Sequence, residues 1–256
     1  MSLAGTPSAP RQDYSLIADR LGVTWNDRLS QSLIAHLRVG PQSVVVDVGC
    51  GTAGDSSLIA RRTRAKVVGV DSSLAMLSLS QPPSLAVLGD ALSLPLRGCC
   101  ADAAFSANVI QLLSDRRKMF AELARVLRGG GRFALPLTTR KQLRSRFINQ
   151  FFPRLFDLER LRYPTVRALS AELKAAGFLS VRCVRLDLGS FTVDKAYLDR
   201  QRTGIVSGLG FVPEPERSEG LLRLERFVTN LQARGRSHQV RWIRTLLVAR
   251  KAGGRR

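Results

Sequence analysis

Apolar and polar positions along this chain fall into two alternating rhythms: short β-branched runs, and stretches whose apolar positions recur at helical spacing. Residues 43–48 form an apolar, Val-rich run, with Gly40 and Pro41 ahead and glycines behind. A run of that kind fits a strand buried on both faces of a parallel sheet. Ahead of it, residues 14–37 are helical in pattern, with a break near Gly22 and a stripe of Leu29, Leu33, Ile34 and Leu37 on the second piece. Behind it, strands are predicted at 66–70, 85–88, 101–107 and 132–137, with helices at 73–79 and 115–127 between them. This alternation calls for right-handed βαβ units in a doubly wound, Rossmann-like α/β sheet.

After Leu137 the rhythm is interrupted. Residues 140–162 are amphipathic, with Leu143, Phe147, Phe151 and Leu155 four apart before and across Pro153. Residues 165–176 read as a helix closed by Gly177, a residue suited to a helix C-cap, and 180–188 as a strand carrying Val181, Cys183, Val184 and Leu186. A second, mostly helical insertion spans 189–239, with Leu221, Leu224, Val228 and Leu231 on one face of its last helix, and 239–249 is strand-like. A strand, a long insertion and a strand suggest an antiparallel closing pair, making a seven-stranded sheet whose last strand is antiparallel. The expected organisation is a mobile N-terminal tail at 1–13, a cofactor-binding core at 14–137, a helical lid at 138–164, a core helix and strand at 165–188, a helical substrate cover at 189–239, and a last strand with a basic tail at 240–256.

Composition narrows this picture without redirecting it. At 45% hydrophobic and 23% charged, the 256 residues exclude a disordered or collagen-like chain. Cys50, Cys99, Cys100 and Cys183 include no C-x-x-C pair and no His at ligand spacing, which argues against a zinc site or a disulfide scaffold. No run approaches the ~18 apolar residues of a membrane span, and the first dozen residues lack the pattern of a secretory leader. The expected setting is the cytoplasm.

The charge is the unusual feature. Forty Lys and Arg face twenty Asp and Glu, and the second half of the chain holds 26 of the basic residues but only ten of the acidic ones. Such a balance raises nucleic acid, anionic surfaces and acidic small molecules as partners. Only six of the forty are Lys, and GC-rich codon usage produces that ratio as readily as selection for an anion-binding face.

The stretch Val44-Val45-Val46-Asp47-Val48-Gly49-Cys50-Gly51-Thr52-Ala53-Gly54 carries the chemistry. Its glycines let the backbone turn sharply and approach a ligand, with a helix N-terminus behind. Asp71 closes the next strand, where a carboxylate can accept both hydrogen bonds of a ribose diol. These two features also match a dinucleotide fingerprint. Asp47, two residues before the first glycine, is awkward beside a pyrophosphate but suits an ammonium group. Asp90, after the third strand, supplies an acceptor matching the exocyclic amine of an adenine. The implied ligand has an amino acid, a ribose and an adenine, and no phosphate.

On these residues the sequence resembles the class I S-adenosylmethionine-dependent methyltransferases, of the small-molecule, methyltransferase type 11-like kind, over residues 14–137 and again over 165–188. The resemblance implies that S-adenosylmethionine is the cofactor, that Asp47, Gly49, Cys50, Gly51 and Gly54 hold its methionine moiety, and that Asp71 with Ser72 takes the ribose hydroxyls. It places Met76 on the adenine, Asp90 and Ala91 at the adenine edge, Asn108 beside the sulfonium, and Tyr14 as a cover from the N-terminal helix. Ala53 pushes the last glycine one place beyond the commonest form of the motif, which puts the role of Gly54 in question.

Both insertions should leave the carboxyl edge of the sheet, where ligands of open α/β sheets bind. The first carries seven basic residues against Asp157 and Glu159, interleaved with aromatics. Arg144, Phe147 and Phe151 are its substrate-binding candidates, and His238 and Tyr197 the candidates for a general base or an orienting group. Packed aromatics with solvated arginines would account for the same pattern. The favoured reading is a methyltransferase acting on an O, N or C atom of a small, anionic and partly apolar acceptor, as in secondary metabolism. An RNA methyltransferase is the first alternative, although no amide-nitrogen motif follows the fourth strand at Ser106-Ala107-Asn108-Val109. A non-catalytic basic protein with a vestigial cofactor fold is the second.

Overall fold

The computed structural model of the chain describes residues 27–80, 85–203 and 208–253. The predicted tail at 1–13, the first helical piece from Tyr14 and the end of the basic tail lie outside these residues. Seven strands form one sheet in the order β3-β2-β1-β4-β5-β7-β6. They are β1 (Val44–Val48), β2 (Lys66–Asp71), β3 (Leu85–Leu88), β4 (Ala101–Phe105), β5 (Leu127–Leu137), β6 (Phe178–Thr192) and β7 (Gln239–Lys251). β1 pairs parallel with β2 and β4, β2 with β3, and β4 with β5, while β7 lies antiparallel between β5 and β6. The doubly wound sheet with an antiparallel last strand is therefore the observed fold.

Burial explains the pairing. Alternate residues of β1 serve opposite faces: Val46 and Val48 join a core with α4 (Arg116–Val126) and α7 (Val166–Ala175), while Val45 joins a second core with α1 (Asp27–Leu37) and α2 (Gly54–Thr63). A strand covered on both faces must be apolar throughout, and Asp47 is the exception within β1.

The boundaries differ from the sequence pattern in informative places. β4 stops at Phe105, because Ser106 turns its hydroxyl back to donate to the Val48 carbonyl at 2.7 Å. β6 runs to Thr192, four residues into the predicted helical cover, because Gly189, at φ +90°, absorbs a register shift between Asp187 and Ser190 and pairing with β7 resumes beyond it. The predicted lid helix is three short pieces: α5 (Arg140–Arg144), a 3-10 turn (Phe147–Gln150) and α6 (Leu155–Glu159). Pro153, which cannot donate an amide to a continuing helix, separates the last two.

β5 and β6 end, and β7 begins, on one edge of the sheet, so both insertions emerge at the carboxyl ends of the parallel strands. There they build a core of their own. Ile148, Phe151, Phe152 and Leu155 pack with Tyr197 and Leu198 of α8 (Lys195–Arg202) and with Leu224 and Val228 of α9 (Glu214–Ala233). The lid arginines largely find partners within it: Arg146 pairs with the fully buried Glu159, Arg154 with Glu216 at 3.3 Å and Arg160 with Asp157 at 2.9 Å. Arg162 lies over the Phe211 ring.

Candidate functional site

Between β1 and α2 the chain turns through residues 49–53, and the turn is stapled to β2 by the Gly49 and Cys50 amides, which donate to the Val70 carbonyl at 2.7 and 3.2 Å. Gly49 is required twice over. Its φ is +75°, and a Cβ there would come within 2.1 Å of Val109 Cγ2. That contact presses the loop after β4, which carries Asn108, onto the turn. Gly51 also has a positive φ, +56°, and faces the Met76 methyl. The third left-handed position is Ala53, at φ +59°, whereas Gly54 is the buried first residue of α2 and lies outside the left-handed region. The displaced last glycine thus serves the helix start and not the turn.

The Gly51 amide donates to Asp71 Oδ2 at 2.8 Å, and the Ser73 amide to Asp71 Oδ1 at 2.9 Å. Each carboxylate oxygen thus accepts one backbone bond and keeps further acceptor capacity at the half-buried mouth of the turn. Ser73 caps α3 (Leu74–Ser78), which brings the buried Met76 over Gly51. Asp71, Gly51 and Met76 therefore meet. Ser72 is exposed beside them. Asp90 and Ala91 stand just beyond β3, with Asp90 Oδ1 accepting from the Leu92 amide at 2.9 Å. Asn108 is exposed, with φ +62°. Cys50 packs against Gly69 of β2, and burial, with Asp47 and Asp71 nearby, pushes its thiol well above the usual range. Tyr14 lies outside the described residues.

Asp47 is 3% exposed and accepts a 2.6 Å hydrogen bond from the Ser56 hydroxyl of α2. Burial holds its carboxyl well above the ordinary range; the Ser56 bond opposes this, and the charges of Asp55 and Asp71 add to it. The folded chain therefore keeps a proton that the unfolded chain releases above about pH 4. Stability of the ligand-free protein falls as pH rises from there through the folded-state value, and levels off above it. In melts from pH 4 to pH 8, Asp47→Asn is expected to flatten this slope and to raise the midpoint near neutrality. A cationic amine bound beside Asp47 favours the ionised form, so its binding should release a proton in the wild type only. Calorimetry in two buffers of different ionisation enthalpy reads that release.

In the lid, Phe147 is the centre of an aromatic cluster. Its ring lies 5.4 Å from Phe151, 6.1 Å from Tyr197 and 4.9 Å from His238, centroid to centroid. Tyr197 also stacks on Phe191 at 5.3 Å, and burial pushes its hydroxyl pKa up to about 12. His238, immediately before β7, also meets Phe227 edge-on. Four of the lid candidates are thus together. Arg144 is apart from them, exposed, with its guanidinium 4.4 Å from the centre of the Phe156 ring.

Arg244 was not among the sequence candidates. It is 6% exposed, and among the described residues it is the one buried arginine. It lies in β7 opposite Leu186 of β6, and the next residue, Thr245, faces Leu137 at the end of β5. Its Nη2 donates to the Pro136 carbonyl at 3.2 Å, and its Nε has no partner. Burial lowers its pKa, while Tyr163 and Asp55, in the first turn of α2, raise it. In Arg241-Trp242-Ile243-Arg244, strand alternation makes such a residue look solvent-facing; the one signal was that it shares a strand face with Leu246 and Val248.

A sheet of this order, with a glycine turn after β1 and an acid closing β2, defines the S-adenosylmethionine-dependent methyltransferase fold. Residues 46–135 match the family described as "Methyltransferase domain". The chain is similar to the trans-aconitate 2-methyltransferase of Azoarcus sp. (strain BH72), 31% identical over 134 residues that cover 51% of each chain. It is also similar to the malonyl-[acyl-carrier protein] O-methyltransferase of Herminiimonas arsenicoxydans, 32% identical over 61% of this chain and 58% of that one. The chain spans about half the length of the curated relatives it matches. Among solved structures, a protein of an antibiotic biosynthesis pathway from Anabaena variabilis ATCC 29413 superposes with a TM-score of 0.71 at 20% identity, covering 86% of this chain and 96% of that one. Among the described residues, no helix is long and apolar enough to cross a membrane.

Proposed function

We propose that the chain transfers the methyl group of S-adenosylmethionine to an oxygen of a small carboxylic acid. The observation that carries the reading is the meeting of Gly51, Asp71 and Met76 at the carboxyl edge of the sheet. The acceptor class is supported by the names of the two relatives, whose substrates are carboxylic acids. The bound cofactor supplies an electrophilic methyl group on a sulfonium. On this reading Asp71 accepts the ribose hydroxyls, with Ser72 beside it, and Met76 packs on the adenine with Asp90 and Ala91 at its edge. Asp47 and the turn of Gly49, Cys50, Gly51 and Gly54 hold the amino-acid end, while Asn108 borders the sulfur.

A carboxylic acid acceptor is ionised at neutral pH, so its oxygen needs no base. What remains is alignment and exclusion of water, which supply much of the acceleration of an in-line displacement. Phe147 and Phe151 wall the pocket, and Tyr197 and His238 orient the acceptor against them. The test is transfer of label from methyl-labelled S-adenosylmethionine to trans-aconitate, a malonyl thioester or transfer RNA. A base-labile methyl ester on an acid is the expected product; label in RNA alone, or in none of the three, overturns the reading.

A further inference from the structure

We infer that Arg244 is the carboxylate anchor of this site, its guanidinium taking the carboxylate of a ligand bound at the carboxyl edge of the sheet. The inference rests on the methyltransferase reading and adds to it a residue and a chemical group. An arginine presents five donors in a rigid fork. Arg244, 6% exposed, commits one to the Pro136 carbonyl, leaves its Nε unpaired, and forms no ion pair among the described residues. A buried cation without an ion pair is costly to keep, and perturbed, desolvated charges of this kind concentrate at functional sites.

Its position is as informative as its burial. Arg244 follows the end of β5 in register, and its field reaches Asp55, in the turn of α2 that directly follows the glycine loop. It therefore stands between the cofactor turn and the root of the first lid segment, and the neighbouring Thr245 hydroxyl donates to Gln142 of α5 at 3.3 Å. In the lid, Arg146, Arg154 and Arg160 form ion pairs and Arg144 and Arg162 lie over aromatic rings, whereas Arg244 combines burial with an unpaired donor and no ion pair among the described residues.

Two sources supply a carboxylate there, the acceptor and the amino-acid end of the cofactor, and calorimetry separates them. S-adenosylhomocysteine and its decarboxylated analogue are titrated into wild type, Arg244→Met and Arg244→Lys, and then trans-aconitate, malonate and benzoate into each protein saturated with S-adenosylhomocysteine. If the anchor serves the cofactor, the preference for S-adenosylhomocysteine over its decarboxylated analogue falls about 30-fold or more in Arg244→Met. If it serves the acceptor, that preference stays and the affinity for the acids falls by a similar factor. Arg244→Lys keeps the charge without the fork and recovers part of either loss; it carries the test if Arg244→Met does not fold. Three results overturn the inference: both preferences unchanged in the variants, neither preference present in the wild type, or a loss of melting temperature alone, which would make Arg244 a structural partner of Asp55. Failure of the wild type to bind S-adenosylhomocysteine at all strikes the methyltransferase reading instead.

Discussion

Asp71→Ala is expected to weaken S-adenosylhomocysteine binding by about 100-fold or more, since hydrogen bonds to a charged group contribute about 1.5–3 kcal/mol each and the variant loses both ribose bonds proposed for Asp71. The substitution also removes the acceptor that holds the Gly51 and Ser73 amides, so part of the effect acts through the turn. The 2′-deoxy analogue of S-adenosylhomocysteine separates the two contributions. Wild type should discriminate strongly between the parent compound and the analogue, and Asp71→Ala should bind both equally weakly. Undiminished discrimination in the variant would mean that Asp71 only shapes the turn.

Gly49→Ala is expected to destabilise the chain by about 2–4 kcal/mol, combining the cost of a left-handed alanine with that of overpacking. The added methyl would stand 2.1 Å from Val109 Cγ2, and φ is +75°, so neither a rotamer change nor a small backbone shift relieves both problems. Chemical denaturation measures the loss. Adding Val109→Ala should restore the part due to the clash and leave the part due to φ. A single variant as stable as wild type would show that the turn adopts another conformation.

The glycine turn and its acids were legible in the sequence because their demands are local. A positive φ, a strand end and a helix start each select residue types within a few positions, and spacing one βα unit apart did the rest. Ala53 shows the limit of that reading, since the left-handed residue need not be the glycine that the motif leads one to expect. The lid was half legible. Its four-residue apolar spacing set Phe147 and Phe151 in one apolar series, but did not show the division of the helix around Pro153 or the burial of Glu159 against Arg146. The excess of arginine read as a substrate-facing lid is, in the structure, largely satisfied inside that lid. Arg244 was hidden because its burial depends on where β5, β6 and α2 come to rest around it, and strand periodicity carries no such information.

The position of β7 bears on how the protein is made. This strand follows every other in the chain, yet it lies inside the sheet, bonded to β5 on one side and β6 on the other. Until it emerges from the ribosome, a nascent chain holds β5 and β6 with open edges and nothing between them, a template for pairing with other chains. Arg244 and His238 arrive with it or just before it. Vectorial synthesis thus delivers Arg244 after Phe147, Phe151 and Tyr197, and termination just before Gln239 yields an aggregation-prone polypeptide that lacks the strand between β5 and β6.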